Sequence, residues 1–138
     1  MGAREQLDAD IREQIADIER RSKDNSGMTL NIALNYGGRE EILAAAKALA
    51  REYVTGEIKR LEDVDEQSFG KRLYTGEQPE VDLVIRTSGE NRISNFLLWQ
   101  CAYAEYIFND ILWPDYTPAI FDKDLAAYAA RSRRMGCI

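Results

Sequence analysis

The chain contains no histidine, and only two cysteines and three prolines occur among its 138 residues. Without histidine, Ser-His and Cys-His catalytic arrangements and imidazole metal ligands are excluded. Proton transfer would therefore use carboxylates, Tyr, Lys, Cys or a bound water. Cys101 and Cys137 lie far apart without CxxC spacing, which argues against a disulfide framework or a zinc site. Cys101 lies in an apolar stretch and is predicted to be a small buried core residue, and the cysteine usage fits a reduced, cytoplasmic compartment.

Long apolar runs are also missing. The most apolar run, residues 96–104, is far shorter than the ~20 residues that span a bilayer, and the charged first residues do not form a signal peptide. We therefore expect no transmembrane segment. Apolar residues make up 45% of the chain and charged residues 30%, which excludes a disordered or fibrous protein. The net charge of −6 makes a nucleic acid a poor candidate partner.

Secondary structure is predicted to alternate between helices and short apolar strands. Periodicity and capping residues predict helices over residues 6–23, 39–54, 65–73 and 121–133, and a short apolar helix over 96–104 that Ser94 or Asn95 would cap. Short runs rich in β-branched and aromatic residues predict strands at 28–35, 81–86 and 105–110. This order predicts an α/β fold in one domain, with a mostly parallel sheet flanked by helices.

The segment 86–95, which reads RTSGENRISN, is the strongest candidate site. It follows the carboxyl end of a predicted parallel strand, where open α/β sheets bind their ligands. Arg86 and Arg92 offer guanidinium groups that bind phosphate oxygens in pairs, and a helix start after Ser94 would add partial positive charge. The segment predicts a phosphate or diphosphate site. The alternative is that both arginines pair with surface carboxylates.

Two further candidates carry less specific signals. The segment 35–39 joins a predicted strand to a helix, and Gly37 and Gly38 would allow either a tight turn, the favoured interpretation, or close approach to a ligand. Glu105 lies in an apolar, aromatic stretch, where a carboxylate is costly unless it is paired or bound to a cation such as Mg²⁺. A salt bridge to a neighbouring basic side chain is the alternative for Glu105.

Four stretches carry a resemblance to a known family: LNIALNYGGREEI, DLVIRTSGENRISNFLLWQCAYAEYIF, LWPDY and RSRRMG. Together they closely resemble the undecaprenyl diphosphate synthase family of cis-prenyltransferases. The resemblance implies a cytoplasmic, homodimeric prenyltransferase that uses Mg²⁺. Such an enzyme condenses isopentenyl diphosphate with an allylic prenyl diphosphate in cis geometry. Its product, a polyprenyl diphosphate, is delivered to the membrane as the lipid carrier for cell-wall polysaccharides.

The resemblance also implies roles for individual residues. Arg86, Arg92, Ile93 and Ser94 match the family's diphosphate-binding residues, and Glu105 matches the glutamate that supports Mg²⁺. Arg134, followed by Met135 and Gly136, matches a C-terminal Arg-x-Gly that reaches the diphosphate site of the partner subunit in that family.

One motif of the family does not occur in this sequence. The family carries an Asp-Gly-Asn-Gly-Arg motif whose aspartate is catalytic, and no Asp-Gly-Asn occurs here, so no catalytic residue is assigned. We expect residues 1–138 to be the C-terminal portion of a cis-prenyltransferase domain that lacks its N-terminal half and is inactive alone. The alternative is a non-catalytic partner subunit of a cis-prenyltransferase complex.

Overall fold

The computed structural model describes residues 1–131, and the chain divides into two compact units, Met1–Glu77 and a second unit from Gln78 onward. The secondary-structure order is α1 (Ala9–Ser22), α2 (Gly38–Thr55), α3 (Glu66–Gly70), β1 (Leu83–Arg86), β2 (Glu105–Phe108) and α4 (Pro118–Ala129), with short 3₁₀ turns at Arg4–Gln6, Leu61–Asp63 and Trp113–Asp115. The parallel sheet with flanking helices confirms the predicted α/β class.

The predicted first helix is confirmed as α1, but it contains no buried residue. Its isoleucine face stays open: Ile11 is 36% exposed and Ile18 is 64% exposed. Ion pairs lie on the surface of the helix instead; for example, Arg4 Nη2 is 2.5 Å from Glu19 Oε1. The apolar spacing of α1 therefore predicts the helix correctly but does not indicate what packs against its isoleucine face.

Helix α2 is also confirmed, and Gly56 ends it in the left-handed conformation at φ +79°, which glycine adopts without steric cost. Its buried face is not the one that the apolar periodicity of residues 39–54 predicts. Glu41 and Ala45 are buried, whereas Tyr53, which that periodicity places inward, is 44% exposed. The shift has a polar cause, because the Glu41 carboxylate accepts a hydrogen bond from the Tyr74 main-chain N–H at 2.6 Å.

The short helix α3 begins as predicted. The Asp65 carboxylate accepts a hydrogen bond from the Ser68 N–H at 2.7 Å, and the Ser68 hydroxyl accepts one from the Asp65 N–H at 2.9 Å. This reciprocal capping box satisfies two donors that a helix start would leave unpaired. The hydrogen bonds to the Asp65 carboxylate lower its pKa from the ordinary value, with the Ser68 main-chain N–H as the largest cause.

The predicted strand at residues 28–35 is wrong, because this segment is not a strand in the structure. Its main chain contacts the first residues near one end of the segment: the Met1 ammonium donates to Ile32 O at 2.8 Å, Leu34 N–H donates to Met1 O at 2.9 Å, and Ala3 N–H donates to Asn35 O at 3.1 Å. A strand needs a continuous ladder with its neighbour, and these contacts do not form one.

The second unit is built on the parallel pair of β1 and β2, with Leu83 opposite Glu105 and Arg86 opposite Phe108. Both strands were predicted. Helix α4 packs against β2. The apolar periodicity of residues 121–133 places Phe121, Leu125 and Tyr128 on one buried side, but Phe121 and Leu125 are 43% and 39% exposed. The half-buried residues of α4 share a face at helical spacing: Ile120, Asp124 and Tyr128.

The predicted helix at residues 96–104 is wrong as well, because the segment consists of turns. Two residues just before this segment and one near its start have left-handed backbone, with φ +49° at Ser94, +63° at Asn95 and +44° at Leu97. A right-handed helix cannot begin through such residues. Leu97 and Cys101 are nonetheless buried, which confirms the prediction of Cys101 as a core residue, and burial raises the pKa of its thiol.

The buried apolar residues divide between the units: Ala3, Ala45 and Leu73 in the first, and Leu97, Cys101 and Ile107 in the second. Across the part of the chain that the structure describes, no helix combines the length and apolar character needed to cross a bilayer.

Candidate functional site

Arg86 is the last residue of β1 and the first residue of the turn that follows, so the sheet and that turn together determine the direction in which its side chain leaves the backbone. The side chain is half-buried, and within residues 1–131 its guanidinium has no ion pair or side-chain hydrogen bond. A partly buried charge without a counter-charge is unfavourable until an opposite charge binds it. The Arg86 guanidinium is therefore available to bind an anion at the carboxyl end of the strand.

The turn after Arg86 is held by main-chain contacts to the segment that follows β2. Arg86 O accepts a hydrogen bond from Asn109 N–H at 3.0 Å, Ser88 N–H donates to Ile111 O at 2.8 Å, and Gly89 N–H donates to Asn109 O at 2.9 Å. Ser88 and Gly89 both have φ +69°, and a Cβ at Gly89 would lie 3.3 Å from Asp110 Oδ1. The amides of Ser88 and Gly89 are thus used by the protein and do not bind an anion.

Arg92 is exposed and pairs with Glu90, with Nη1 2.5 Å from Oε2. The alternative interpretation of the arginines, pairing with a surface carboxylate, therefore describes Arg92 but not Arg86. The Arg92 side chain is 67% exposed and that of Glu90 35%. Exposed pairs of this kind are worth only ~0–1 kcal/mol, so a multiply charged anion competes for Arg92 at little cost.

Ile93 and Ser94 lie beyond Arg92 on irregular backbone. Ile93 is half-buried and its carbonyl accepts a hydrogen bond from Phe96 N–H at 3.1 Å, while Ser94 is exposed. Since no helix begins after Ser94, the helix-terminus charge expected at this site does not contribute. Each left-handed residue other than glycine costs ~1–3 kcal/mol, so surrounding contacts must hold this backbone in place.

Glu105 begins β2, opposite Leu83, and its Oε2 accepts a hydrogen bond from Arg131 Nη1 at 2.7 Å. This is the salt bridge that the alternative interpretation of Glu105 describes. Arg86 is three residues further along the paired strands, so Glu105 lies about 10 Å from the level of Arg86 along the strand direction. The structure does not bring Glu105 to the arginine site, and no group of three or more acidic, cysteine or histidine side chains able to hold a metal occurs among residues 1–131.

Arg134, together with Met135, Gly136 and Cys137, lies outside the described residues.

The turn at residues 35–39 makes contacts that favour a structural role. Asn35 has φ +48°, and its side-chain amide donates to Ala3 O at 3.1 Å and Gln6 Oε1 at 3.0 Å. The Tyr36 hydroxyl donates to the buried Glu41 carboxylate. These contacts tie the turn to its neighbours in the first unit.

Sequence reasoning missed a polar network in the second unit. Asp124 Oδ2 accepts hydrogen bonds from the Tyr116 hydroxyl at 2.6 Å and from Asn109 Nδ2 at 3.1 Å. Desolvation, followed by the hydrogen bond to Asp124 and its charge, raises the pKa of Tyr116 to about 12. One signal was available in the sequence: Asp124 lies four residues after Ile120 and four before Tyr128, which places a carboxylate on an otherwise apolar helix face.

Comparison with known proteins places the whole chain in one family. The family model described as "Putative undecaprenyl diphosphate synthase" matches residues 1–136. The isoprenyl transferase of Caulobacter vibrioides is 48% identical over 136 residues, covering 99% of this chain and 52% of that protein. A ditrans,polycis-undecaprenyl-diphosphate synthase of Pasteurella multocida, specific for (2E,6E)-farnesyl diphosphate, is 47% identical over 128 residues, covering 93% of this chain and 53% of that protein.

Solved structures agree with these relatives. Lavandulyl diphosphate synthase from Lavandula x intermedia, solved in complex with dimethylallyl diphosphate, superposes with a TM-score of 0.92 at 38% identity, covering 96% of this chain and 57% of that one. A probable undecaprenyl diphosphate synthase from Campylobacter jejuni gives a TM-score of 0.85 at 32% identity, covering 99% and 61%. The chain spans about half the length of the curated relatives it matches. From its sequence and its fold, the chain belongs to the undecaprenyl diphosphate synthase family of prenyltransferases.

Proposed function

We propose that this chain supplies the isopentenyl diphosphate-binding part of a cis-prenyltransferase that makes a polyprenyl diphosphate such as undecaprenyl diphosphate. The observation that carries the proposal is the half-buried Arg86 guanidinium, which has no counter-charge within residues 1–131 and stands at the carboxyl end of a parallel strand. Membership of the family supports the same substrate class.

Arg86 and Arg92 would share the diphosphate. Arg86 is oriented by the sheet and by the turn that follows it, and it binds one phosphate through paired N–H groups. Arg92 leaves Glu90 to bind the other phosphate. The Ser94 hydroxyl is exposed and can donate a further hydrogen bond, while the half-buried Ile93 keeps the segment against the protein. These groups offset part of the negative charge of the diphosphate and orient the isopentenyl group for transfer.

The residues described here do not by themselves form a magnesium site. Glu105, the carboxylate expected to support Mg²⁺, is ion-paired with Arg131 and lies at the other end of the strand pair from Arg86. Mg²⁺ is bound in many enzymes through one or two carboxylates and the substrate phosphates. In this proposal Mg²⁺ would arrive with the diphosphate, whose oxygens would supply part of its ligands.

Catalysis would need more than these residues. The chain spans about half the length of its relatives, and the sequence lacks the aspartate motif expected to organise the allylic diphosphate. We expect the 138-residue chain to show no turnover of isopentenyl diphosphate alone. Homodimer formation, a tail contribution from Arg134 and a cytoplasmic location stay predictions of the sequence. Measurable prenyl extension by the purified chain in the presence of Mg²⁺ would contradict the proposed division of labour.

Binding measurements test the site directly. Titration calorimetry of isopentenyl diphosphate and of inorganic diphosphate would compare the unaltered chain with Arg86→Ala and Arg92→Ala. Hydrogen bonds from arginine to phosphate are worth roughly 1.5–3 kcal/mol, so each variant should bind about tenfold to a hundredfold more weakly.

Arg60→Ala is the matched control, because Arg60 is an exposed arginine that pairs with Glu62 two residues away, as Arg92 pairs with Glu90. Its affinity for diphosphate should be unchanged. If Arg92→Ala lowers the melting temperature but leaves the affinity intact, the two arginines are structural and the proposal is wrong.

A further inference from the structure

The network around Asp124 reaches the turn that carries Arg86. Asn109 follows β2 directly, and its main chain contacts this turn twice, through Arg86 O and Gly89 N–H. Its side chain contacts helix α4 instead: Asn109 Nδ2 donates a hydrogen bond to Asp124 Oδ2 at 3.1 Å. Asn109 therefore connects helix α4 to the turn at residues 86–89.

Asp124 determines the orientation of the Asn109 amide. Asn109 Oδ1 is buried and has no hydrogen-bond partner among the described residues, so no second contact holds the amide. Rotating it by half a turn would place Oδ1 against the Asp124 carboxylate, which is repulsive because both groups are acceptors. The bond to the carboxylate is consequently the one side-chain restraint on Asn109 within residues 1–131.

Tyr116 holds the carboxylate in turn. Its hydroxyl donates to the same Oδ2 atom at 2.6 Å, and its ring stacks on Trp113 with centroids 6.0 Å apart and planes 10° apart. Burial and the hydrogen bond to Asp124 raise the pKa of the Tyr116 hydroxyl to about 12, so it stays protonated, and therefore donating, at neutral and moderately alkaline pH. Asp124 is thereby fixed by a donor on the connection that precedes α4.

The turn itself needs such support. Ser88 and Gly89 are both in left-handed backbone at φ +69°, which is unfavourable for the serine. Ser88 N–H donates to Ile111 O, and Gly89 N–H donates to Asn109 O. If residues 109–111 shift, the turn loses both acceptors together, and the direction of Arg86 is no longer maintained.

We propose that Asp124 is a positioning residue that acts through Asn109 on the turn at residues 86–89 and so on the aim of Arg86. This inference rests on the proposed diphosphate function for its consequence in binding, but its local structural part can be tested without any ligand. Asp124 itself touches no substrate in this proposal.

The test uses the 138-residue chain with Asp124→Ala, Asp124→Asn and Tyr116→Phe. Asparagine still offers an acceptor oxygen, so Asp124→Asn should restore most of what alanine loses. Asp122→Ala is the matched control, since Asp122 is exposed on the same helix and makes no hydrogen bond or ion pair among the described residues. Each variant is examined by amide hydrogen exchange and by calorimetric titration of inorganic diphosphate.

In Asp124→Ala, exchange of the Ser88 and Gly89 amides should accelerate at least tenfold while the β1 amides keep their protection. Diphosphate affinity should fall about fivefold to tenfold, with a smaller fall in Tyr116→Phe and none in Asp122→Ala. If exchange rises uniformly over the second unit, or if Ser88 and Gly89 are unchanged, the positioning role is overturned. Should Asp124→Ala not fold, local exchange in Tyr116→Phe and Asp124→Asn decides by the same criterion.

Failure of the two proposals can be told apart. If the unaltered chain binds no diphosphate, the proposed function fails, while accelerated exchange at Ser88 and Gly89 still supports the structural link from Asp124 to the turn. If the unaltered chain binds diphosphate and Asp124→Ala binds it equally well, the site stands and the positioning role is wrong.

Discussion

The segment 28–34 in the first unit and β1 in the second have similar apolar, β-branched sequences, yet only β1 is a strand. All of β1, from Leu83 to Arg86, is paired in register with β2. In the segment 28–34, alternate side chains stand exposed: Met28 92%, Leu30 75%, Ile32 60% and Leu34 42%. The difference shows that a strand-like sequence becomes a strand only where a neighbour supplies a continuous ladder of hydrogen bonds.

The two units also differ in how polar groups stabilise them. In the first, the buried carboxylate of Glu41 accepts hydrogen bonds from the Tyr36 hydroxyl, five residues away, and from the Tyr74 main-chain N–H, 33 residues away. In the second, two carboxylates link α4 to β2. Asp124 on α4 accepts a hydrogen bond from Asn109, which follows β2, and Glu105 at the start of β2 accepts one from Arg131, which follows α4. The first unit should therefore be more sensitive to the loss of a single residue than the second.

The largest expected effect is in the first unit, at Gly2. A Cβ at this position, where φ is +126°, would lie 1.9 Å from Leu34 O. Gly2→Ala should therefore break the main-chain contacts between residues 1–3 and the segment 28–35, lowering the free energy of unfolding by about 4 kcal/mol from strain and lost hydrogen bonds. Urea denaturation measures the change. Gly27→Ala is the control, because a Cβ at Gly27 meets nothing within 4 Å; equal losses in both variants would contradict the assignment.

Glu41→Ala should have the next largest effect. It would leave the Tyr74 N–H and the Tyr36 hydroxyl without their buried acceptor, at a cost of about 3 kcal/mol. Glu40→Ala controls for charge near the start of α2, since Glu40 is its exposed neighbour in the same helical turn. Thermal and urea unfolding of the two variants should differ clearly. Similar stabilities would show that the buried contacts of Glu41 do not hold the first unit together.

In the second unit, the raised pKa of Tyr116 predicts a dependence of stability on alkaline pH. The folded state favours the protonated hydroxyl, so its stabilising contribution is complete below the ordinary pKa of 10.0 and is lost as the pH rises toward about 12. We expect a loss of about 1–2 kcal/mol across that range, reduced from the full linkage value because the side chain is only half-buried. Tyr116→Phe should abolish this component. An unchanged alkaline profile in Tyr116→Phe would refute the cause given for the shift.

The smallest effect is expected from the ion pair between Arg131 and Glu105, which are 37% and 32% exposed. A double-mutant cycle with Arg131→Ala and Glu105→Ala should give a coupling energy of about 0.5–1 kcal/mol. The same cycle on the more exposed pair of Arg20 and Asp17 in α1 should give a value nearer zero. If the α1 pair couples more strongly, exposure does not explain the difference between the units.

The predictions that held are those in which residues close in the sequence decide the outcome. Asp65 and Ser68 form a cap three residues apart, and Gly56 ends α2 in the conformation that glycine favours. For the site, the placement of Arg86 at a strand end was predicted because strand and arginine are adjacent in the sequence. The sequence could not exclude a helix after Ser94, because the apolar residues there fit helical spacing. The left-handed backbone that prevents this helix depends on packing.

The sequence by itself determined the family and the presence and approximate places of α1 to α4, β1 and β2, because motifs, apolar spacing and caps are short-range properties of the chain. Tertiary structure decided the rest: that residues 28–34 lack a ladder, that Glu105 pairs with Arg131 rather than joining Arg86, and that Asp124 reaches Asn109. These contacts join residues that are far apart in the sequence: Asn109 and Asp124 are 15 residues apart, and Glu105 and Arg131 are 26 residues apart. A hydrogen bond forms only where the fold brings the donor and the acceptor within reach of each other.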